Sequence, residues 1–290
     1  MPWYIFALGA ALLSAAAAVT EKVALRREHA LQFSAVLAVI NLGLTAPLLA
    51  TVDFGSLNPK AVWLMYAASL VGTLAFYLVT RAVRHLEVSE TSPFLILGPG
   101  VTALVAWFVI GETLSAIQVS GIALLIVGVY VLELQDGGGL IAPFRAVLRS
   151  RYLILLLAAL LLYGLCGTFD RFTLSRLGVS PTTYIALIHP MLALNFIIAL
   201  VALHGWRDLV EGFKAAGWWV LLVGLFTVGY RWTEVNAMAM VPVALVVAIK
   251  RTSGFFSALI GGELFHEHNL PRKLAACVIL LGGALLVVLS

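Results

Sequence analysis

The chain has 290 residues, 62% of them hydrophobic and 11% charged, where a soluble domain carries about 25% charged residues. With a mean hydropathy of +1.05 it has too little polar surface to cover a sizeable aqueous domain, and intrinsic disorder is excluded as well. The net charge of +4 sits mostly between apolar runs, so it reads as membrane topology and not as a nucleic-acid surface.

A helix needs about 20 apolar residues to cross about 30 Å of hydrocarbon, and the chain divides into ten such runs. They lie near 3–20, 31–51, 61–80, 89–110, 116–134, 152–169, 182–204, 218–238, 243–262 and 273–289. The first opens with Met1-Pro2-Trp3-Tyr4 and no basic segment, which predicts a membrane helix and not a cleaved signal. Between the fifth and sixth runs, 135–151 holds Asp136, Gly137-Gly138-Gly139, Pro143 and Arg145, a linker near the middle of the chain. Asp170-Arg171 falls at the end of the sixth run, where a solvated or paired role is expected. Cys166 and Cys277 lie inside apolar runs and read as packed thiols.

The alternate loops holding Lys22, Arg26, Arg27, Arg81, Arg84, Arg145, Arg149, Arg151, Arg207, Lys214, Arg272 and Lys273 are far more basic than the opposite set, which has little beyond Lys60, Arg171 and Arg176. The positive-inside rule makes the first set cytoplasmic and, with an even number of spans, puts both termini outside.

The chain also repeats itself. An offset of 155 residues pairs Ala82 with Ala237, Val88 with Val243, Ala103 with Ala258, Leu104 with Leu259, Glu112 with Glu267, Leu125 with Leu280 and Gly128 with Gly283. Apolar identities are cheap in such a sequence, so the weight rests on the glutamates and glycines. Five spans separate the copies, an odd number, so the second copy is inverted, the pattern of carriers that rock about a site near the midplane.

The segment Pro93 to Leu132 contains Leu97-Gly98-Pro99-Gly100, Gly111-Glu112-Thr113-Leu114-Ser115 and Gly121 to Val129, and its partner runs from Gly261 to Gly283 with Phe265-His266-Glu267 at the glutamate position. These stretches resemble the EamA repeat of the drug/metabolite transporter superfamily. The resemblance implies an all-α integral membrane fold of ten transmembrane helices in two inverted five-helix repeats, 1–134 and 152–290, joined by the linker 135–151. It also implies a carrier with both termini cytoplasmic, opposite to the charge count.

Inside the spans, a Lys or Arg at a helix centre costs about 2.5–3.5 kcal/mol and marks function by default. Lys250-Arg251 in the ninth run is the most expensive pair, and its repeat counterparts, Leu95 and Ile96, are apolar. Two adjacent cations favour an anionic cargo, the guanidinium as a planar fork and the ammonium as a point charge. The structural alternative is an ion pair with Glu234 or Glu263. The pair is similar to the Lys-Arg on the ninth helix of the triose-phosphate and nucleotide-sugar branch, where it contacts phosphate; the Gly-Asn that often precedes it there is absent here.

Arg231 and Glu234, three apart in the eighth run, share a helix face and can pair, or Glu234 can couple transport to protons. His189, followed by Pro190, together with Asn41, Asn195, Tyr77 and Tyr230, completes the candidate substrate-binding set. For the asparagines, hydrogen bonds between helices are the plainer role, and for the tyrosines packing. The spacing of Phe265-His266-Glu267-His268 does not fit a zinc helix, and no phosphate loop is present, so neither metal nor cofactor is expected.

The reading is a non-enzymatic secondary transporter of a small organic anion by alternating access, with Lys250 and Arg251 as the anion clamp. Its alternatives are a proton-coupled exporter of amino acids or other small metabolites, and a flippase of a lipid-linked phosphate. The expected partners are a small anionic molecule and the lipid bilayer, not nucleic acid, with a homodimer left open. The expected location is the inner membrane of a bacterial or archaeal cell.

Overall fold

The computed structural model describes residues 1–24, 30–83, 97–133, 151–253, 256 and 270–289. Among them the secondary structure is entirely helical: α1 (Trp3–Ala24), α2 (Ala30–Thr45) running into a 3-10 turn (Ala46–Thr51), α3 (Pro59–Val83), α4 (Gly98–Ile110) and α5 (Ala116–Glu133). The second half adds α6 (Arg151–Ser175), α7 (Pro181–His204), α8 (Trp206–Met240), α9 (Val243–Arg251) and α10 (Leu270–Leu289). Hydrocarbon offers the backbone no hydrogen bonds, so apolar runs of this length close theirs internally.

Five helical stretches are long and apolar enough to cross a membrane, namely Trp3–Glu21, Leu31–Thr51, Pro59–Val79, Tyr152–Ser175 and Pro181–His204, and α8 makes a sixth if its two arms count as one span. The chain is an integral membrane protein. Two of the ten expected runs, 89–110 and 243–262, are described only in part, as α4 and α9. Val88, Leu95, Ile96, linker positions 135–150, Ala258, Leu259, Glu263 and the Phe265-to-His268 segment with Glu267 lie outside the described residues.

The chain forms two compact units that interleave in sequence: Met1–Thr73 with Phe169–Met240, and Leu74–Thr168 with Val241–Ser290. In the first unit, small residues bring helices close, as they must where lipid supplies no hydrophobic drive. The buried face of α1 is built of Ala7, Ala10, Ala11, Ala15 and Ala17. Gly9 faces Thr233 and Gly229 faces Leu13, which packs α1 on α8. Gly224 and Gly212 of α8 meet α2 so closely that a Cβ would stand 2.8 Å from Ile40 Cγ2 and 2.7 Å from Gln32 Cγ. Asn195 of α7 donates to Ser69 Oγ of α3 at 2.9 Å.

In the second unit, α5 and α10 touch at backbone distance. A Cβ at Gly128 would lie 2.8 Å from Leu280 Cγ, and one at Gly283 would lie 2.8 Å from Leu125 N. These contacts are images of each other under the offset of 155, since Gly128 maps to Gly283 and Leu125 to Leu280. Gly164 of α6 rests on the backbone of Thr102 in α4, and Gly167 on Val243 at the start of α9. Leu153, Leu156 and Leu160 of α6 form a core with Ala82 of α3.

Candidate functional site

In the first unit, Asp170, Tyr184, Arg231 and Glu234 come together where α6, α7 and α8 meet. Ser180 caps α7 by accepting from Thr183 N–H at 3.1 Å, and Pro181 supplies the first helical position, where its missing N–H is harmless. That start places Tyr184 one turn into the helix, fully buried, where its hydroxyl donates to Asp170 Oδ1. Arg231 of α8 bridges two carboxylates, with Nη2 at 3.2 Å from Asp170 Oδ2 and Nη1 at 3.0 Å from Glu234 Oε2. The carboxylates are 1% and 2% exposed against 19% for the arginine, so the guanidinium is the group through which this network meets its surroundings.

Around the network, Arg171 donates to the Met238 carbonyl at 2.6 Å, near the end of α8, where a cation also meets the negative end of the helix dipole. Pro190 cannot donate to the carbonyl of Ala186, which frees that group inside α7. His189 Nε2 and Asn41 Oδ1 are buried polar atoms without a hydrogen-bond partner among the described residues. Tyr230 is half-buried on α8. Asn195 is committed to its bond between helices.

The second unit holds Lys250 and Arg251 as the last turn of α9, both half-buried. Thr252 closes the turn with its N–H on the Ile249 and Lys250 carbonyls and its hydroxyl on Ile249 O at 2.7 Å. Cations in a last turn are favoured by the helix dipole, which offsets part of the cost of placing them there. Arg251 lies across Gly98, where an added Cβ would come within 3.1 Å of Nη2. Glycine at that position therefore makes the seat for the guanidinium. Tyr77 is half-buried on α3 in the same unit.

The other end of α9 is held by the repeat glutamate. Gly111, at φ +67 and ψ +25, ends α4 in the left-handed region, with its N–H on Trp107 O and that of Glu112 on Ala106 O. A Cβ at Gly111 would touch nothing within 4 Å, so glycine serves the backbone there and not the packing. The turn delivers Glu112 to the start of α9, where Oε2 accepts from Val243 N–H at 3.1 Å. Pro242, the residue before that helix, offers no side-chain cap of its own.

Residues 1–134 match the EamA-like transporter family. This part of the chain is similar to an EamA-like domain. The match ends where the first five apolar runs end. Over the whole length, the chain resembles a protein of solved crystal structure at 18% identity and a TM-score of 0.74, covering 98% of this chain and 96% of that one. That likeness is one of fold. Among curated proteins no relative matches.

The sequence placed Arg231 and Glu234 together, and the structure pairs them. Asp170, at a span end, was expected to be solvated or paired, and it is paired. In the fold it is a buried carboxylate shared by Tyr184 and Arg231. No spacing rule reaches across α6, α7 and α8; the one available signal was that Asp170 still lies inside an unbroken helical stretch. Glu112 stood out in the sequence only as a repeat position matched to Glu267, and in the fold it accepts from Val243 N–H.

Proposed function

We propose that the chain is a secondary carrier that moves a small organic anion by alternating access, with Lys250 and Arg251 as its clamp. The observation that carries the reading is the seat of Arg251: a guanidinium laid over side-chain-free Gly98, beside a half-buried lysine, on a helix anchored at its far end by Glu112. Neighbouring cations repel, so holding two in one turn is worth its cost when an anion neutralises them. The EamA-like match to 1–134 and the reciprocal contacts Gly128 to Leu280 and Gly283 to Leu125 support two inverted five-helix repeats, 1–134 and 152–290.

A thermal-stability screen of purified protein tests this, run beside Lys250→Ala with phosphorylated sugars, nucleotides, dicarboxylates, amino acids and lipid head groups. A ligand at about 100 times its Kd adds about 2.7 kcal/mol. Stabilisation by one anionic class that vanishes in the variant supports the clamp. Equal stabilisation of both proteins by neutral compounds refutes it.

The Asp170–Arg231–Glu234 network favours a second reading, a proton-coupled exporter of amino acids or other small metabolites. Two buried carboxylates on one guanidinium can exchange a proton for an ion pair as the helices move. Proton uptake from the medium during net substrate efflux, seen as alkalinisation and lost in Glu234→Gln, would support it; unchanged proton flux in that variant would refute it.

A further inference from the structure

We infer that the short arm of α8, Trp206–Ala215, is an in-plane helix that docks on the anionic lipid headgroups of one leaflet. The inference is independent of the carrier reading. This arm and the long arm, Gly217–Met240, are bent by 96°. If the long arm crosses the bilayer, the short one runs along its surface. At about 1.5 Å per residue it is also too short to cross.

Its residues sort by face. Trp206, Val210 and Phe213, spaced four and three apart, share one side and are 61%, 41% and 44% exposed. Leu209 and Gly212 lie along one edge of that side and are buried. A Cβ at Gly212 would stand 2.9 Å from Val36 Cγ2, and Gln32 Nε2 donates to Asp208 O at 2.7 Å, so this edge is fixed to α2. Arg207 and Lys214, seven apart, line the opposite edge of the apolar stripe and are exposed. Asp208, half-buried, and Glu211, exposed, occupy the side away from the stripe.

An apolar stripe bordered by bases, with the acids turned away, is the charge complement of an anionic membrane surface. Trp218 and Trp219 stack at 4.0 Å between centroids just past the bend, on the first turn of the long arm. Paired indoles there match the aromatic belt at headgroup level. Arg207 and Lys214 also fall in the loop set that the charge count assigns to the cytoplasm, which puts the docking surface on the inner leaflet.

The test uses the full chain with Cys166 and Cys277 replaced by alanine and an environment-sensitive NBD dye on Val210→Cys, on Phe213→Cys as a second stripe position, or on Glu211→Cys. In vesicles of phosphatidylcholine with phosphatidylglycerol, the stripe positions should emit blue-shifted and be quenched by lipids with shallow nitroxides. The Glu211 position should emit as in water and be quenched by iodide. When phosphatidylglycerol is titrated into the detergent-solubilised chain, each base should be worth about fivefold in affinity. Arg207→Gln with Lys214→Gln should therefore weaken it about 25-fold at low salt. Water-like emission at both stripe positions would overturn the inference, as would affinity unchanged in the double variant. A blue shift that grows with protein density and ignores the nitroxides would mean a second copy covers the stripe. Inorganic phosphate reproducing the lipid signal would mean a free anion site. Either of these also overturns it.

Discussion

Replacing Glu112 tests whether the repeat glutamate anchors the helix that carries the cations. In the structure its carboxylate accepts from Val243 N–H at 3.1 Å, at a helix start with no other side-chain cap. Losing a cap of this kind costs about 0.5–2 kcal/mol, and the carboxylate's attraction to the positive helix end accounts for about 0.3–1 kcal/mol near such a terminus. Glu112→Ala should therefore loosen the start of α9 by about 1–2 kcal/mol, which speeds amide exchange there about 5- to 30-fold. Glu112→Gln keeps a carbonyl acceptor and loses only the charge, so it should fall between alanine and the parent. Hydrogen exchange on a peptide spanning Val243 reads this directly, with the exposed Ser120 position substituted as a control. If exchange at Val243 is the same in all three proteins, Glu112 does not hold α9 and the reasoning fails. If the α9 segment loosens and the affinity for the anion found in the screen drops with it, the anchor also positions the clamp.

Other perturbations separate backbone, packing and charge. Gly217 sits at φ +58 and ψ −175, a region open essentially to glycine, with nothing within 4 Å of a Cβ. Gly217→Ala should thus cost about 1–3 kcal/mol through backbone strain alone, seen as a lower thermal midpoint. Gly128→Leu forces a side chain into Leu280 across α5 and α10 and should cost about 1–3 kcal/mol or more, whereas Gly282→Ala on α10, where a Cβ meets nothing, should be close to neutral by the same assay. Arg231→Leu leaves Asp170 and Glu234 buried without their shared cation and should cost about 3–5 kcal/mol, with Asp170→Asn added to the same variant recovering part of it. No recovery in that double variant would mean the two carboxylates do not share Arg231 in the bilayer.

Much of the fold was written along the chain. Hydropathy located the five stretches long and apolar enough to cross a membrane, because a membrane span is a local property: about 20 apolar residues whose backbone bonds close within the segment. Gly111 ends α4 at a positive φ that glycine adopts freely, whereas Pro190 sits inside a continuous α7. The pairing of Arg231 with Glu234 was equally legible, since three residues on a helix return to one face. The repeat offset likewise anticipated which glycines matter, and Gly128 and Gly283 do lie where α5 and α10 touch.

What the sequence could not supply was which distant residues share a neighbour. Asp170, Tyr184 and Arg231 are separated from one another by 14 and 61 positions counted from Asp170 and meet only because the fold brings three helices together. The seat of Arg251 on Gly98 and the hold of Glu112 on Val243 likewise join segments more than a hundred residues apart. The interleaving of the two compact units is of the same kind, for no composition shift marks the boundaries within α3 and α6. Span and polarity are set by each residue's own transfer from water, so they are readable one segment at a time. Pairing of buried polar groups is set by which helices close-pack, a property of all segments together, and that was decided by the tertiary structure.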